Sequence, residues 1–116
     1  MNQRGLIEQL AQMARRAYPQ HTLEYFRKHF LEVVETHRCL LEIEGNTIVG
    51  YLEYKWVPGE LLILHVTELL TLKRGVIWKL RKRMNQLPWQ SLIFRRQKTG
   101  NWESYFHPRR RWQVHV

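Results

Sequence analysis

Twelve of the nineteen basic side chains lie after residue 72, interleaved with tryptophans, and this is the strongest chemical signal in the chain. Lys79, Arg81, Lys82 and Arg83 fall in one short segment, Arg95, Arg96 and Lys98 in the next, and Arg109, Arg110 and Arg111 near the end. Trp78, Trp89, Trp102 and Trp112 stand among them. Guanidinium forks bind phosphate oxygens and indole rings stack on unpaired bases, so the combination suits nucleic acid. An acidic protein surface would meet the same charges. Nothing in the pattern reads base sequence, so such binding is dominated by phosphates and sensitive to salt. The competing reading is a solvated basic face with the indoles in the core.

Other reactive side chains point to less. His21, His29 and His37 recur every eight residues, which neither repeats a helical face closely nor gives the HExxH spacing, and no cysteine cluster assists; no metal site is predicted. His65 stands in an apolar run and reads as a satisfied core or cleft histidine. Cys39 is the single cysteine, so an intrachain disulfide is ruled out, and its neighbours Leu40 and Leu41 mark a buried thiol in a reducing compartment.

The bulk numbers frame these candidates. The 116 residues fit one domain over 1–116, and the 44% hydrophobic and 25% charged content argues against disordered, collagen-like and repeat classes. Net charge is +9, but it is divided: residues 1–72 hold seven basic and nine acidic groups, whereas 73–116 hold twelve basic groups and only Glu103. The two parts therefore carry −2 and +11, and the positive field belongs to the second. The N-terminal stretch lacks a long apolar core, so neither a signal peptide nor a membrane span is expected, and the location expected is cytoplasmic.

The elements that must position these groups follow from periodicity. Leu6, Leu10, Met13, Ala14 and Ala17 line one face of a helix over 3–17, stopped at Tyr18-Pro19. Thr22 stands as the N-cap of a second helix reaching about His37, with Phe26, Phe30, Val33 and Val34 on its stripe. A hairpin follows, with strands over 38–43 and 47–57 around Glu44-Gly45-Asn46, and a short strand over 61–66, covered on both faces, makes three consecutive antiparallel strands. A basic amphipathic helix is predicted over 72–86, then a strand over 89–96, a turn at Lys98-Thr99-Gly100-Asn101 and a last strand over 102–106. Residues 108–116 form a basic tail.

This order resembles the GNAT acyltransferase fold, the family of Gcn5-related N-acetyltransferases. Gly50-Tyr51-Leu52-Glu53 resembles its "IVGY" strand, Leu62 to Val66 the strand after it, and Lys73-Arg74-Gly75-Val76-Ile77-Trp78-Lys79-Leu80 its pyrophosphate loop and helix start. The resemblance implies an α+β fold with a mixed or antiparallel sheet, in a compact form shortened at its C-terminal side. It also implies where acyl-CoA would bind: Val66, Lys73, Arg74 and Gly75, with backbone amides at a helix N-terminus facing the pyrophosphate. Glu53 or Glu68 would be the base, and Tyr105 the nearest group to protonate the leaving thiolate.

Gly75 and Leu80 match the family pattern, while Leu72 stands where it has Gln or Arg and Ile77 where it has Gly or Ala. The expectation is therefore a divergent, non-catalytic module that needs no cofactor. Its basic part would engage nucleic acid or an acidic partner, as in a phage or mobile-element protein found in the host cytoplasm or the virion. An acyl-CoA-dependent N-acyltransferase is the alternative, and a structural assembly component is the third reading.

Overall fold

The computed structural model describes residues 2–59, 62–95 and 102–106. Helix α1 (Gln3–Ala17) opens at Asn2, whose side chain accepts from the Gly5 amide at 2.8 Å. It stops before Pro19, which lacks an amide proton and disfavours helical geometry in the residue before it. Helix α2 (Leu23–Glu35) starts, as its sequence predicts, at Thr22, whose hydroxyl accepts from the Tyr25 amide at 3.1 Å. It ends short of His37, because that residue adopts a left-handed φ of 54° and reverses the chain toward the sheet.

Five strands form one mixed sheet in the order β1-β2-β3-β4-β5: β1 (Cys39–Glu44), β2 (Thr47–Val57), β3 (Ile63–Thr71), β4 (Ser91–Arg95) and β5 (Trp102–Phe106). The first three pair antiparallel, and β1 joins β2 through Gly45-Asn46, with Gly45 at the positive φ a two-residue hairpin needs. Helix α3 (Val76–Met84) crosses over to β4, which runs parallel to β3, and β5 returns antiparallel to β4.

Each sheet face has its own helical cover. On one face α1 and α2 bury Leu10, Phe30 and Val33 against Ile48 and Tyr51. On the other, Val76, Leu80 and Met84 of α3 pack with Val49, Leu52, Leu64 and Trp89. Gly50 lets α3 approach, since a Cβ there would overlap Val76 Cγ1. Trp89 is 2% exposed and donates its indole N–H to the Met84 carbonyl at 2.9 Å, closing the C-terminal end of α3.

Two further elements differ from the sequence reading. The third strand does not end with its apolar run at Val66 but continues to Thr71, because the eleven-residue β2 offers partners as far as Gly50. The helix expected from residue 72 begins at Val76, since the Leu72 amide is still bonded to the Val49 carbonyl at 2.9 Å and residues 72–75 make the turn.

Within β3 lies a bulge. Glu53 faces Glu68 and Tyr54 faces Val66, so Thr67 is the extra residue. A bulge re-aims the side chains around it. Val66 and Leu69 pack toward α3, while Thr67 and Glu68 both turn to the α1–α2 side.

Candidate active site

That bulge builds an acidic cleft. Its volume is about 330 Å³, and Glu53, Thr67 and Glu68 meet Tyr18 from the end of α1, His21 just before α2, and Tyr25 and His29 on α2. Glu53 and Glu68 are directly opposed in register on neighbouring strands, an arrangement that costs energy for two like charges unless each is compensated. They are compensated differently.

Glu53 is 8% exposed and accepts three hydrogen bonds: from Tyr51 Oη at 2.5 Å, from His29 Nε2 at 2.7 Å and from Thr67 Oγ1 at 3.0 Å. Burial pushes its pKa up, but the donors, His29 foremost, outweigh burial and hold the carboxyl below its ordinary value. The Glu53 carboxylate in turn raises the His29 imidazole above its usual value, against the opposing effect of burial. Burial, reinforced by Glu53, raises the Tyr51 phenol strongly, so it stays a donor.

Glu68 has fewer donors. Tyr18 Oη donates to its Oε2 at 2.8 Å and the Leu69 amide to its Oε1 at 3.1 Å. Burial is the larger influence, the Glu53 charge adds to it, and the Glu68 pKa is raised. Burial and the bond to Glu68 push the Tyr18 phenol up to about 12. Pairing of β3 with β4 covers only Ile63–Val66 against Ser91–Phe94, so among the described residues β3 from Thr67 onward has only β2 as a neighbouring strand.

The structure thus brings Glu53 and Glu68 together, and it adds Tyr18 and His29, which no local motif marks. The aromatic spacing along α2 is the only sequence signal that His29 shares a face with Tyr25. His65 pairs with Lys55 in the β2–β3 ladder and is not part of the cleft lining; burial and Lys55 lower its pKa. Cys39 is partly buried, and burial, with Glu53, pushes its thiol up to about 11, which keeps it protonated and unreactive.

Val66 is the last β3 residue paired with β4 and packs toward α3. Gly75 is the N-cap of α3 without a side-chain capping bond, the first turn holds no acidic residue, and a Cβ at Gly75 would meet nothing within 4 Å. Lys73 and Arg74 flank it, although Lys73 Nζ is bonded to Glu44 Oε2 at 2.5 Å. Trp78 is 68% exposed and leaves the helix end open. The Val76 amide donates to the Lys73 carbonyl at 3.4 Å, so these residues fit the pyrophosphate of an acyl-CoA through the helix end, the adjacent cations and the open space at Gly75.

The basic candidates separate. Lys79, Arg81 and Lys82 are exposed on α3, whereas Arg83 folds back to the Leu41 carbonyl and lies 3.5 Å from Glu42, and is committed to β1. Trp89 is core, not surface. Arg95, Trp102 and Tyr105 lie in β4 and β5, with side chains outside the described set, and Arg96, Lys98, Arg109, Arg110, Arg111 and Trp112 lie outside the described residues.

No family model and no curated protein matches the chain. Solved structures do. The aminoglycoside 6'-N-acetyltransferase from Enterococcus faecium superposes with a TM-score of 0.66 at 11% identity, covering 81% of this chain and 58% of that one. An aminoglycoside 6'-N-acetyltransferase complexed with coenzyme A gives 0.67 at 13%, covering 77% and 54%. An aminoglycoside 6'-acetyltransferase type Ii gives 0.64 at 14%, covering 80% and 65%. The chain thus spans less than two thirds of the length of each. The fold is the GNAT-like α+β fold that the sequence resembles. No helix among the described residues is long and apolar enough to cross a membrane.

Proposed function

We propose that this chain is an acyl-CoA-dependent N-acyltransferase whose acceptor amine enters the cleft floored by Glu53 and Glu68. The supporting observation is the opposed carboxylate pair with divergent environments. Groups of one type whose surroundings push their pKa values apart are suited to separate roles in proton transfer. Glu53, saturated by donors, stays ionised and attracts a cation. Glu68, with its raised pKa, open lone pairs and a place at the bulge, accepts the proton that an ammonium must lose before its nitrogen can attack. Tyr18 and the Leu69 amide orient the Glu68 carboxylate.

Arg74, Gly75 and the start of α3 would hold the pyrophosphate of acyl-CoA, which when bound supplies the activated thioester, while Lys73 stays paired with Glu44. The departures at Leu72 and Ile77 favour a binding module, but they leave the helix end open, and they do not account for a carboxylate pair on one face. Thiol release from acetyl-CoA, measured with a panel of primary amines, tests the reading. Glu68→Gln is expected to lower kcat by about 10²–10⁴-fold with acetyl-CoA affinity unchanged. No binding of acetyl-CoA at millimolar concentration, or full activity in Glu68→Gln, would overturn it.

A further inference from the structure

We infer that the outer face of α3 is a docking ridge for single-stranded nucleic acid. Val76, Leu80 and Met84 are the buried stripe of this helix. Trp78, Arg81 and Lys82, spaced i, i+3 and i+4, stand together on the opposite side, with Lys79 beside them. Trp78 is 68% exposed, the most exposed of the large apolar side chains among the described residues, and the Arg81 guanidinium lies 5.1 Å from its ring centre. The helix sequence VIWKLRKRM contains no acidic residue to neutralise the ridge. Lys73 and Arg83 do not contribute, because Glu44, Glu42 and the Leu41 carbonyl hold them at the β1 edge.

An indole held open to water beside a guanidinium is a platform on which an unpaired base stacks, while the neighbouring cations take the phosphates. Duplex DNA hides its base faces and would leave the indole idle. An acidic protein would use the charge but not the ring. The ridge lies across the sheet from the carboxylate cleft and needs none of its chemistry, although it begins one turn after Gly75, where the acyl-CoA pyrophosphate is placed.

Fluorescence anisotropy of the full chain with a labelled oligo-dT of about 20 nucleotides, across roughly 50–300 mM KCl, reads this directly. Trp78→Ala is expected to weaken binding about tenfold. The double variant Arg81→Ala/Lys82→Ala is expected to lower the slope of log affinity against log salt by about 1.4. The thermal transition of Trp78→Ala should match that of the parent, since the ring packs in no core. Affinity unchanged in both variants, or equal competition by a duplex of the same length or by polyglutamate, would each overturn the assignment.

Discussion

Tyr51→Phe isolates one bond of the buried Glu53 network. The Tyr51 side chain is fully buried and its ring meets Phe30 edge to face at 5.2 Å, so phenylalanine keeps the packing and loses only the hydroxyl. Glu53 retains His29 and Thr67 as donors, but water cannot replace the third. Hydrogen bonds to charged groups contribute about 1.5–3 kcal/mol, and with two donors remaining the loss at neutral pH should fall near the lower end, about 1.5–2 kcal/mol. The pH dependence gives a second reading. Because the folded pKa of Glu53 lies below 4.5, its stabilisation is fully present above that value and is lost as pH falls through the folded pKa. Tyr51→Phe moves the folded pKa back toward 4.5, so the variant has less of this stabilisation to lose. Urea unfolding followed from neutral pH down through the Glu53 titration should therefore show the gap between parent and variant closing in acid. A gap of constant size across that titration would refute the charge-assisted account.

Gly50→Ala should destabilise the fold by about 1–3 kcal/mol, because the new methyl overlaps Val76 Cγ1. Adding Val76→Ala should recover part of that loss, and a strictly additive double-mutant cycle in urea unfolding would count against the close approach of α3 to β2. His29 works in the opposite pH direction from Glu53. Its folded pKa is raised above 6.5, so its contribution is full below that value and fades as pH rises through the folded pKa. His29→Gln should accordingly flatten the decline in stability above neutral pH, and an unchanged pH profile in that variant would argue that the imidazole is not charged beside Glu53.

Much of the architecture was legible locally. The α1 stripe, the Thr22 cap and the Gly45-Asn46 turn each depend on neighbours within a few residues, and their bounds follow from the side chains themselves. The helical period also places Trp78 opposite Val76, Leu80 and Met84. The resemblance around Gly50 and Gly75 gave the fold and put Glu53 and Glu68 among the candidates, without saying that they meet.

Pairing decided the rest. Thr67 and Glu68 look like the end of an apolar run, and alternation alone would send their side chains to opposite faces; only the register against β2 creates the bulge that turns both into the cleft. Tyr18 lies 50 positions from Glu68, and His29 lies 24 from Glu53, distances over which no periodicity carries information. Arg83 and Lys82 are neighbours of the same charge, yet one is drawn to the β1 edge and the other is left to solvent. Local sequence determines what each segment forms and which stripe it buries. The partner a polar group finds is set by which surfaces the packed sheet and helices bring together, and that juxtaposition exists only in the tertiary structure.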